Sequence, residues 1–186
     1  MNASEEHNKK GSIRKGLAPL LLIFLVFAAF CLVCFLPLFP RLVLSDWRSG
    51  EVRLMLPIDV GETVGILFTH SLNLSDVTDT IEWTGESLVC RSTLFSTYGA
   101  GIPDLCDGIG TTFTETDEGF LLSGIDKPQD HIDIMLQTVP HHRLLYRDKT
   151  IDLLELFGSG HSVHVEVKRL PLVRLISREG RQAAAY

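Results

Sequence analysis

Six histidines lie beyond residue 60, at His70, His131, His141, His142, His161 and His164. Imidazole is the side chain that most readily binds metals or moves protons near neutral pH. Their spacing argues against ready-made sites. Neighbours in an extended chain point to opposite faces, so His141 and His142 diverge, and His161 and His164 do the same if both are extended. After Arg41 there is neither a helical His-Glu-x-x-His nor a Cys-x-x-Cys pair, and no metal is assigned. A tetrahedral set would have to be assembled from distant strands, with Asp133 or Glu166 among its members. No cofactor is indicated.

Nucleophilic chemistry is the next candidate, because Ser71 follows His70 with Asp76 close behind. Adjacent strand residues cannot readily form a Ser–His pair, and no Gly-x-Ser-x-Gly elbow presents a serine. Ser159, between Gly158 and Gly160, reads as part of a helix stop. A His70-dependent hydrolase or metal enzyme is therefore the lesser reading, and a binding role comes first. Tyr98-Gly99-Ala100-Gly101-Ile102-Pro103 is the other distinctive segment. Gly99 and Gly101 can bare successive amides to an anion or let another chain approach, while the plainer reading is a strand ending in a turn locked by Pro103. Tyr98 either lines a pocket or caps the core. Cys90 and Cys106 form a disulfide if the compartment is oxidising, or stand as two separate thiols. His70, Ser71, Tyr98, Gly99, Gly101 and His142 are the candidate binding residues.

The elements that must position these groups begin with an uncharged apolar run from Leu17 to Phe39. A membrane-crossing helix needs roughly 20 apolar residues, and the run is too long for a signal peptide and lacks an Ala-x-Ala cleavage site. Lys9, Lys10, Arg14 and Lys15 precede it, against Arg41 and Arg48 after it. That bias predicts a single-pass anchor over 17–40, with the basic leader 1–16 in the cytoplasm and the C-terminal part extracytoplasmic. Removing the five basic and two acidic residues through Arg41 from totals of 17 and 23 leaves 12 basic against 21 acidic. Such an acidic remainder excludes nucleic acid as a partner. The lipid bilayer is the first partner implied.

After a connector at 41–50, short apolar stretches bounded by Gly, Asp, Asn and Pro predict strands. They fall at 52–56, 64–70, 78–83, 87–97, 110–114, 120–123, 132–139, 142–146 and 162–169. Thr84-Gly85-Glu86 and Asp117-Glu118-Gly119 read as hairpin turns. Thr150 to Phe157 reads as one short helix stopped by glycine. The expectation is a mainly β domain over 51–175, an antiparallel β-sandwich or partly closed barrel, followed by a polar tail at 176–186.

Phe68-Thr69-His70-Ser71, then Tyr98-Gly99-Ala100-Gly101-Ile102-Pro103, then His142-Arg143-Leu144-Leu145 resemble, in order and spacing, the bacterial domain-of-unknown-function family numbered 1850. The likeness covers about Val60 to Val167. The chain departs from the family at Asn73-Leu74-Ser75-Asp76, where members often carry a Lys-Thr-Pro-like stretch. Members are commonly encoded beside TAXI-type TRAP transporter permeases, so the resemblance implies an accessory role at the bacterial inner membrane. The partner it implies is the permease or the solute receptor. It transfers no catalytic residue.

Overall fold

A computed structural model of the chain describes residues 4–96 and 112–176, with side chains from residue 19 onward in those ranges. Helix α1 spans Ser4–Phe35 and stops two residues before Pro37, whose ring and missing amide proton disfavour further helix. Its side chains from Leu20 to Phe35 are apolar on every face and largely exposed. Among the described residues, no helix is long and apolar enough to cross a membrane.

Eleven strands follow among the described residues, all paired antiparallel: β1 (Phe39–Asp46), β2 (Val52–Pro57), β3 (Thr63–Thr69), β4 (Asp76–Trp83), β5 (Leu88–Phe95), β6 (Thr112–Thr116), β7 (Gly119–Gln129), β8 (His131–Met135), β9 (Arg143–Tyr146), β10 (Lys149–Asp152) and β11 (Ser162–Leu170). Two short helices, α2 (Leu153–Phe157) and α3 (Leu172–Ile176), complete the described residues. The strands form a four-stranded sheet in the order β2-β1-β11-β8 and a seven-stranded sheet in the order β10-β9-β3-β4-β5-β7-β6. Neither closes on itself, so the fold is not a closed barrel. One hydrophobic core joins both sheets: Leu42, Leu54, Ile134 and Val163 come from the smaller, Ile66, Ile81, Trp83 and Leu144 from the larger. Each fully buried aliphatic side chain contributes about 1.5–3 kcal/mol. The Tyr146 hydroxyl adds a polar tie, donating to the Pro57 carbonyl at 2.5 Å.

Alternation decides most faces. Along β3, Val64, Ile66 and Phe68 turn inward while the residues between them are half-buried. The β6–β7 hairpin needs its glycine: Gly119 has φ 135°, and a Cβ there would lie 2.5 Å from the Phe95 carbonyl oxygen. Both expected hairpins form, the first closed by Ser87 and Thr84.

Besides β7 running on to Gln129 and β8 stopping at Met135, where strands over 120–123 and 132–139 are expected, the structure differs from the sequence expectation at three places. The connector expected over 41–50 is largely strand, because β1 lies between β2 and β11. Five consecutive residues of β1, Leu42–Asp46, are buried, so it lacks the alternation of a half-exposed strand and merges with the preceding apolar run. The helix expected over 150–157 begins only at Leu153. Asp152 is extended and caps α2 by accepting the amide protons of Leu154 and Glu155, while Lys149–Asp152 pairs with β9. A second short helix, α3, accompanies the one expected.

Candidate functional site

The seven-stranded sheet ends β3 at Thr69, and the chain turns sharply through the next six residues. The His70 amide donates to the Ser75 carbonyl at 2.8 Å, the Leu74 amide donates to the His70 carbonyl at 2.9 Å, and Leu74 adopts φ 53°. This closure fixes His70 and Ser71 at one end of the sandwich. Opposite them runs β8, the edge strand of the smaller sheet, with the loop that leaves it. The Thr69 amide donates to the Pro140 carbonyl at 2.7 Å and draws that loop against β3.

An open cleft of about 460 Å³ lies between these elements, lined by His70, Ser71, Asp133, Gln137 and His142 over an apolar floor that includes Phe68 and Ile134. Three of the expected binding residues, His70, Ser71 and His142, therefore meet in one concavity. Tyr98, Gly99 and Gly101 lie outside the described residues, as does Cys106. Cys90 is buried and disulfide-bonded, whereas Cys31 and Cys34 of α1 are free.

The adjacent histidines part company, but neither lies in a strand, and the separation comes with a left-handed backbone turn at His141 rather than from strand alternation. His141 sits at φ 43° and places Nε2 2.5 Å from the Asp152 carboxylate that caps α2. Burial alone would raise the Asp152 carboxyl; the His141 contact and the two capping amides outweigh it and hold the group below its ordinary range. His142 turns inward and stacks on Phe68, with ring centroids 5.3 Å apart. Its Nδ1 is buried and has no hydrogen-bond partner among the described residues. Burial, assisted by the nearby His141, lowers the His142 pKa from 6.5 to about 4, so the ring is neutral at pH 7. A neutral imidazole with one unused buried nitrogen can exchange a hydrogen bond with a small polar ligand.

Nucleophilic catalysis finds less support. The His70 Nδ1 accepts from the Leu72 amide at 3.4 Å, which favours the tautomer protonated at Nε2. Among the described residues, no hydrogen bond joins Ser71 to His70 or His142. Exposed apolar side chains flank the cleft in sequence: Leu72 is 78 % exposed, Met135 62 % and Val139 54 %. Asp133 reaches the cleft from the exposed face of β8, and its role as a cleft wall depends on how β8 lies against β3. No local motif signals that placement.

No curated protein and no solved structure matches the chain. Residues 64–153, which include His70, Ser71, Asp133 and His142, match the family model described as domain of unknown function (DUF1850), and over this span the chain is similar to that family.

Proposed function

We propose that the chain is a membrane-anchored extracytoplasmic accessory domain that acts by binding rather than catalysis, with the His70–Ser71–His142 cleft as its contact surface. Its partner in this reading is the permease or the solute receptor of a TAXI-type TRAP transporter at the bacterial inner membrane. The observation that carries the binding role is the convergence of three sequence-flagged residues in one open cleft flanked by exposed Leu72, Met135 and Val139. Exposed apolar side chains beside a polar cleft suit protein docking. The apolar run 17–39, with its basic leader, supports the anchor. The oxidised state of Cys90 supports an extracytoplasmic domain, since cytosolic thiols are kept reduced. Mild crosslinking in native membranes followed by purification is the test. A TRAP component should be recovered with the wild-type chain and lost with Leu72→Asp; recovery of none from wild type defeats the assignment.

A second reading is favoured by one observation, the buried unpartnered Nδ1 of His142 beside a cavity of small-molecule size. Here the cleft takes a small polar ligand directly. Histidine NMR signals then shift on titration with a screened set of small carboxylates and amides, and His142→Phe abolishes the shift. Unmoved signals throughout the set count against this reading.

A further inference from the structure

We infer that His131, Asp133 and His164 form a binding site for one divalent transition-metal ion of the zinc class, on the outer face of the four-stranded sheet. Strand periodicity builds the site. His131 and Asp133 are two apart on β8 and share a face, as do His164 and Glu166 on β11. Register then places His164 opposite Asp133 and Glu166 opposite His131. Four metal-ligating groups thus occupy two adjacent cross-strand pairs.

The contacts show convergence on a common point. The Asp133 carboxylate lies 2.7 Å from His164 Nδ1 through one oxygen and 3.6 Å from His131 Nε2 through the other. The two imidazole rings stand 4.6 Å apart between centroids. One ligand atom from each of His131, Asp133 and His164 can be chosen with all three within 4.8 Å of one another. Donors bound to one tetrahedral zinc at about 2.0–2.2 Å lie roughly 3.4 Å apart. Side-chain rotation of about 1 Å closes the difference, and the open surroundings of His131 and Asp133 leave room for it.

Two imidazoles and a carboxylate select zinc, copper, nickel or cobalt over magnesium and calcium, which prefer all-oxygen shells. The fourth position is open to water; Glu166 lies 3.7 Å from His164 Nε2, the ring nitrogen turned away from Asp133, and pairs with Lys168. Asp133 also lines the cleft, so a bound cation puts positive charge on its rim. The inference stands on this geometry alone and does not depend on the docking reading.

Equilibrium dialysis tests it with the untagged full chain in detergent, stripped by chelator and dialysed against zinc chloride alone. One zinc per chain is expected. His131→Ala, His164→Ala and Asp133→Asn should each weaken binding by at least about tenfold. His161→Ala, which removes a histidine paired instead with Asp46, should leave affinity unchanged. Cobalt loading gives an independent readout, the intense visible bands of a tetrahedral site, absent in the His131→Ala/His164→Ala double variant. Circular dichroism establishes that the variants keep the β fold. The inference is overturned if the wild type retains no zinc, or if the double variant binds zinc as tightly as the wild type.

Discussion

The half-buried, neutral state of His142 gives a pH dependence of stability that one substitution should remove. The native ring takes up its proton near pH 4, against 6.5 for the unpaired side chain. Between those values the unfolded chain binds a proton that the native chain refuses, so stability falls as the pH drops through this window. The contribution is fully present above about pH 6.5. One pKa unit corresponds to about 1.4 kcal/mol, and descent from about pH 7.5 to about pH 5 crosses roughly 1.5 units of the window, a loss of about 2 kcal/mol. The ring is only half-buried, and solvent screening reduces this to about 1–2 kcal/mol. His142→Phe keeps an aromatic ring against Phe68 and cannot titrate. Urea unfolding of both proteins, followed by fluorescence of the buried Trp83, should show the wild type losing about 1–2 kcal/mol more than the variant over that interval. Losses equal to within about 0.3 kcal/mol would refute the claim that burial keeps the imidazole neutral.

Asp152→Ala removes the cap of α2 together with the partner of His141, and should destabilise by about 1–2 kcal/mol in the same assay. Asp152→Asn, which retains a capping oxygen, should recover about half of that. Gly119→Ala forces a Cβ to within 2.5 Å of the Phe95 carbonyl at φ 135° and should cost about 2 kcal/mol or more, read as a lower urea midpoint at unchanged slope. Pairing of Cys90 with Cys106 predicts that only two of the four cysteines are alkylated in denatured, unreduced protein, with Cys31 and Cys34 the reactive pair. Closing a loop of roughly 15 residues is worth about 3 kcal/mol, so Cys90→Ser should lose about that much, and alkylation of all four cysteines would disprove the pairing.

Sequence pattern carried furthest where a strand is covered on one face. Along β4, Val77, Ile81 and Trp83 alternate with partly exposed residues, and the strand is readable to within two residues. The same alternation turns Asp79 into the core, where its carboxylate accepts from the buried Thr93 hydroxyl at 2.6 Å. β1 was illegible for the opposite reason, because five successive buried residues leave no alternation to read. β10 was hidden by a helical apolar spacing that the extended Asp152 interrupts. In the cleft, His70, Ser71 and His142 were legible as residue types with local context. Asp133 depended on packing between two sheets, which no spacing within either strand encodes.

Only Leu36–Leu38 separate α1 from β1, and β1 is hydrogen-bonded along both edges, to β2 and to β11. A force applied along the helix therefore enters through an interior strand and is borne in shear by two ladders at once. An edge strand under the same load would be peeled away one bond at a time.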